Sequence, residues 1–145
     1  MAKVVFPYVS IFLPPSAPHP SGIIAYRPVT VMTVTASNGN SLRFLGLPDS
    51  GADACLFPLS VAIILQIDVL RLPKTMTGGV GTQSNVTYYD TVHIDLGEGI
   101  AFNAYAGFTE GMNSIGLALL GQSGFFEMFN VEFRHSQRIF TVEVS

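Results

Sequence analysis

Apolar and polar residues alternate along most of this chain in short runs broken by glycine, proline and asparagine. The clearest run covers Val86 to Leu96. Val86, Tyr88, Val92, Ile94 and Leu96 fall on one face, and Thr87, Tyr89, Thr91, His93 and Asp95 on the other. That is the period of a half-exposed strand. Gly97-Glu98-Gly99 turns it into a second strand, Ile100 to Phe108. Val29 to Thr35 reads as a β-branched strand, and Asn38-Gly39 is a strong hairpin signal that returns the chain as Ser41 to Leu47. Val4 to Phe12 reads as a strand whose Pro7 favours an edge, followed by a stiff loop with Pro14, Pro15, Pro18 and Pro20. Ile115 to Leu120 reads as a buried strand. Asn130 to Arg134 and Ile139 to Val144 pair across the polar turn His135 to Arg138. Helical spacing is confined to Ser60 to Gln66, with Ser60 placed to cap it, and to one or two turns within Gln122 to Phe129. The expected class is all-β with two short helices. Residues 1–20 form an N-terminal strand and Pro-rich loop, and residues 21–145 the main domain. No tandem repeat or low-complexity segment interrupts this order.

Composition narrows the picture. Hydrophobic residues make up 48% of the 145 and charged residues only 12%, against about 25% charged in a typical globular chain. That deficit suggests surface covered by another chain. The net charge is −3 and the seven basic residues are scattered, which argues against nucleic acid or an acidic membrane as partner. No run approaches the roughly 18 apolar residues of a membrane span. Met1-Ala2-Lys3 followed by Val4 to Leu13 mimics a signal peptide, but Pro7, Pro14 and Pro15 break it, and Pro18 follows the best cleavage residue, Ala17. A single cysteine, Cys55, excludes an intrachain disulfide and fits a reducing, cytoplasmic setting.

The candidate chemistry centres on Leu45 to Pro58. Asp49-Ser50-Gly51 is a turn between two apolar runs. A carboxylate there must be paired, hydrated in a cleft or protonated. Taken alone, the triplet reads as an ordinary turn. Thr75 to Ser84 holds Gly78, Gly79 and Gly81 and reads as a flexible tip between extended arms. Other features read as structural. Cys55 is a buried small hydrophobe. His19, His93 and His135 lack metal-ligand spacing, so neither metal nor cofactor is expected. Gly121-Gln122-Ser123-Gly124 lacks the spacing of a nucleophile elbow, and Gly78 to Gly81 is not a P-loop. Asn85-Val86-Thr87 is a glycosylation triplet with meaning only in a secreted protein.

These features stand in a fixed order: an apolar strand into Asp49-Ser50-Gly51-Ala52, a glycine-rich tip at Gly78 to Gly81, Leu119-Leu120-Gly121, the segment Ser123 to Phe129, and a terminal hairpin. In that order the chain resembles the retropepsin-like aspartic proteases of the bacterial single-domain type, from about Val29 to its end. The resemblance implies a single-domain acid-protease barrel that works as a homodimer, each copy supplying one catalytic Asp49. Two carboxylates about 3 Å apart cannot both ionise cheaply, an effect for which aspartic proteases are the standard example. The pair therefore shares one proton. It implies further that Ser50 bonds across the dimer axis and Gly51 lets substrate backbone approach. Ala52 and Asp53 would contact substrate main chain, with Gly79, Val80 and Gly81 as the tip of a flap over an extended peptide.

Three positions depart from the family. Gln122 stands where viral members often have an arginine that pairs with the acid at the Asp53 position. Pro48 precedes Asp49 where an aliphatic residue is common. The chain also runs from Gln122 to Ser145 beyond the Leu-Leu-Gly motif, longer than in compact viral proteases. Pro48 and Gln122 motivate a second reading, a catalytically silent dimerisation or peptide-binding module.

Overall fold

The computed structural model describes residues 3–77 and 85–145. Twelve strands dominate it. They are β1 (Val4–Pro7), β2 (Val9–Leu13), β3 (Ile23–Arg27), β4 (Thr30–Thr35), β5 (Ser41–Pro48), β6 (Leu56–Pro58), β7 (Lys74–Thr77), β8 (Asn85–Gly97), β9 (Ile100–Thr109), β10 (Ala118–Leu120), β11 (Phe129–Arg134) and β12 (Ile139–Val144). One helix, α1 (Leu59–Ile64), follows β6. The expected all-β architecture is present.

The main sheet runs β4-β5-β10-β6-β9-β8, and β8 pairs back onto β4, closing a barrel of six strands. β7 extends it by pairing with β8. Closure leaves no free edge in the barrel wall. The alternation read from Val86 to Leu96 turns Val92, Ile94 and Leu96 into the barrel, where they meet Phe102, Ala104 and Ala106 of β9. Asn38-Gly39 makes the β4–β5 hairpin as expected. Gly39 takes φ +89°, and Gly39 N–H donates to the Ala36 carbonyl. Asn38 Nδ2 and Asn40 Nδ2 both donate to the Leu65 carbonyl at 2.9 Å, tying this hairpin to the end of α1.

Several expectations need correction. Val4 to Phe12 is two strands. Tyr8 breaks the run, and its N–H donates to the Arg138 carbonyl. β1 is an edge strand on the terminal hairpin, in the order β1-β12-β11. β2 instead pairs with β3, a strand the Pro-rich surroundings concealed, and this ribbon joins no other sheet. Phe12 and Ile24 on it are 65% and 55% exposed. Ser60 does not cap α1. Pro58 is the N-cap residue, and the Ser60 N–H is satisfied from elsewhere by Asn113 Oδ1 at 3.1 Å. Ile115 is exposed and β10 begins only at Ala118. Thr87 is buried although its parity put it on the polar face. It covers Gly107, where a Cβ would sit 2.7 Å from its methyl group. Residues 124–128 form consecutive turns after a β-bridge at Ser123, not a regular helix.

That turn segment matters because it carries Phe125 into the core. The Phe125 ring lies 5.1 Å from Phe126, 5.3 Å from Phe129 and 5.4 Å from Phe102, centroid to centroid. The cluster joins the barrel to the terminal sheet and fixes where Gly121 and Gln122 emerge. Phe125→Ala is expected to lower the free energy of unfolding by about 3 kcal/mol or more, measured from urea unfolding. A loss below about 1 kcal/mol would remove Phe125 from this role.

Candidate active site

β5 and β6 do not pair with each other. β10 lies between them, parallel to β5 and antiparallel to β6. The connection from β5 to β6 must therefore arch over a whole strand, a span of roughly 10 Å between its flanking neighbours. Asp49-Ser50-Gly51-Ala52-Asp53-Ala54 is that arch, standing at one end of the barrel.

An arch over a strand end exposes many backbone groups, and each needs a partner. The continuation of β10 supplies them. Asp49 N–H donates to the Leu120 carbonyl at 2.9 Å, Gln122 N–H to the Ala52 carbonyl at 2.8 Å, and Ser123 N–H to the Asp53 carbonyl at 2.8 Å. Ala54 and Ser123 form an isolated parallel bridge. Gly121 sits at the point of closest approach. A Cβ there would lie 2.7 Å from the Ala52 carbonyl oxygen and closer still to that of Ala54. Only glycine fits. Pro48 is buried opposite Leu120. It ends β5 with extended geometry, and the first donor of the arch comes from Asp49 instead.

Asp49 is half-buried. The Gly51 N–H donates to its Oδ1 at 2.9 Å, and Ala52 N–H to its backbone carbonyl at 3.1 Å. This is the turn chemistry read from the sequence. It holds one carboxylate oxygen against the backbone of the arch. Ser50, Gly51 and Asp53 are exposed and Ala52 is half-buried. Thus the structure brings Asp49, Ser50, Gly51, Ala52 and Asp53 together on one surface loop. Gly79, Val80 and Gly81 lie outside the described residues. Their flanking arms, β7 and β8, pair from Lys74↔Tyr88 to Thr77↔Asn85.

The departures from the family pattern resolve locally. Gln122 Nε2 donates to the Ser50 carbonyl at 2.8 Å, so it holds the arch without engaging Asp53. Among the described residues the Asp53 carboxylate has no ion-pair or hydrogen-bond partner. Gln122 was legible only as an odd residue after Leu-Leu-Gly; its contact spans 72 positions and leaves no local signal. Cys55 is fully buried beside Ser123, and burial pushes its thiol up, against a smaller lowering from a backbone hydrogen bond with Gly121. A neutral thiol there packs and does not attack. Tyr88 packs on the core, whereas Tyr89 lies outside, stacked on Tyr105 at 5.7 Å.

Elsewhere the chemistry is sparse. Among the described residues no three His, Cys, Asp or Glu side chains gather as a metal site, and no helix is long and apolar enough to cross a membrane. Two shallow surface depressions are lined by Thr35, Asp90, His93 and Asn103, and by Val31, Arg43 and Asp95. Neither includes Asp49.

No family model matches the sequence, and no curated protein matches it. The fold does have a match. A crystal structure of a retropepsin-like aspartic protease from Rickettsia conorii superposes with a TM-score of 0.57, covering 97% of this chain and 98% of that one at 14% identity. The chain has the retropepsin-like fold.

The packing at Gly121 gives a direct check. Gly121→Ala is expected to destabilise the protein by about 2 kcal/mol or more, because the new methyl group meets backbone oxygens that no rotamer change can move. Calorimetric melting measures it. A melting temperature within about 1 °C of the unmodified protein would contradict the close approach.

Proposed function

We propose that this chain is a homodimeric aspartic endopeptidase in which two copies of Asp49, one from each protomer, activate a water between them. The retropepsin-like fold supports the aspartic-protease class. The observation that carries the assignment is the arch itself: Asp49 opens it, half-buried, with one carboxylate oxygen held by the Gly51 N–H. One copy offers one such carboxylate. Acid–base division of labour requires two in unlike protonation states, so the second comes from another copy. The apolar side chains exposed on one copy, Phe12, Ile24, Val5 and Phe133 among them, fit a chain that buries part of its surface against a partner.

In the proposed mechanism the dyad holds one proton. The ionised Asp49 takes a proton from water, whose oxygen bonds to the scissile carbonyl carbon. The protonated Asp49 donates to the carbonyl oxygen. Collapse of the tetrahedral intermediate breaks the C–N bond as a proton passes to the leaving nitrogen. Apparent pKa values belong to the dyad, not to either copy. Ser50 would tie the two arches across the dimer axis. The substrate would lie extended, paired like an added strand, along Gly51, Ala52 and Asp53 and beneath the Gly79-Val80-Gly81 tip. Asp53, free of any arginine, would accept from substrate N–H groups.

Asp49→Asn keeps size and turn geometry but removes the base. Peptidase activity is expected to fall by at least about a thousandfold, with the circular dichroism spectrum and oligomeric state unchanged. Cleavage surviving in that variant would overturn the assignment. An unmodified dimer that binds a statine-type transition-state mimic yet cleaves nothing would identify the silent module instead.

A further inference from the structure

Two hydrogen bonds at the arch share one peptide group. The Gly51 N–H donates to Asp49 Oδ1 at 2.9 Å. The carbonyl of that same peptide unit belongs to Ser50, and it accepts from Gln122 Nε2 at 2.8 Å. A trans peptide is planar, with its C=O and N–H pointing in opposite directions. Fixing the oxygen therefore fixes the direction in which the N–H points. A hydrogen bond accepted at the oxygen also polarises the unit and strengthens the N–H as a donor. Gln122 acts from a clamped position: its own N–H donates to the Ala52 carbonyl at 2.8 Å, and its carbonyl accepts the Glu127 N–H at 3.1 Å.

We propose that Gln122 is a positioning residue for Asp49, acting through the Ser50–Gly51 peptide group. Its catalytic meaning rests on the endopeptidase reading; the relay itself does not. Gln122 touches no reacting atom. It orients a neutral donor onto one carboxylate oxygen, leaving the other for chemistry. Other ionisable groups near the arch are Asp53, exposed on the arch itself, Glu127 at the far end of the Gln122 turn, and the buried Cys55 behind it. β10 carries none, β4 carries none, and β5 carries only Arg43 near its opposite end. Substituting Gln122 leaves all of these in place.

The test uses isotope-labelled Gln122→Met, which keeps side-chain length and removes the donor. The Gly51 amide proton is expected to move upfield, and the Asp49 carboxyl carbon resonance to shift with it. In the peptidase, kcat is expected to fall by about threefold or more with KM unchanged. A side chain that merely braces the turn would lower the melting temperature and leave both resonances unchanged; that result overturns the proposal. In the unmodified protein, a through-bond coupling between Gln122 Nε2 and the Ser50 carbonyl carbon supports the relay, and its absence overturns it. Shifted resonances in a protein that cleaves nothing would keep the relay and remove the peptidase. Cleavage with no shift would do the reverse.

Discussion

The candidate site depends on one steric constraint: the arch from β5 to β6 must cross a strand. β10 occupies the slot between the two strands that Asp49 connects, so the arch cannot close as a hairpin. Its backbone groups are satisfied by the chain leaving β10, and that chain passes so close that position 121 admits no side chain. From this follow the exposure of Asp49, the pinning of its loop by Leu120, Gln122 and Ser123, and the burial of Cys55 behind it.

Features governed by local chemistry were legible in the sequence. Asn38-Gly39 dictates its hairpin because few residue pairs accept that backbone. The alternation of Val92, Ile94 and Leu96 dictates which face enters the barrel. Asp49-Ser50-Gly51 was legible as a turn, and the structure adds what the turn spans. What stayed hidden depends on partners distant in the chain. Tyr8 breaks its strand because its N–H goes to Arg138. Ser60 is not a cap because the helix already begins at Leu59, and its N–H goes to Asn113, 53 positions away. Thr87 is buried because its methyl group fills the space that a side chain at Gly107 would take. Residues 122–128 follow Phe125 into an aromatic cluster instead of completing a helix. Gln122 looked like a loss relative to an arginine that pairs with Asp53, yet it has its own partner on the other limb of the arch.

A single copy accounts for the geometry of the arch but not for acid–base chemistry. Under the proposed mechanism a single Asp49 has no second carboxylate with which to share a proton. The charge-poor composition and the exposed Phe12 and Ile24, on a ribbon that joins no other sheet among the described residues, are features that the proposed second copy would cover.

Subunit mixing tests that claim most directly. Unmodified chains exchanged with an equal amount of Asp49→Asn chains, under conditions where protomers re-equilibrate, form mixed pairs with one carboxylate. If each site needs Asp49 from both copies, peptidase activity falls to about a quarter of that of the same total amount of unmodified protein. Activity of about half, in proportion to unmodified chain, would show that one copy carries a complete site and would contradict the shared dyad.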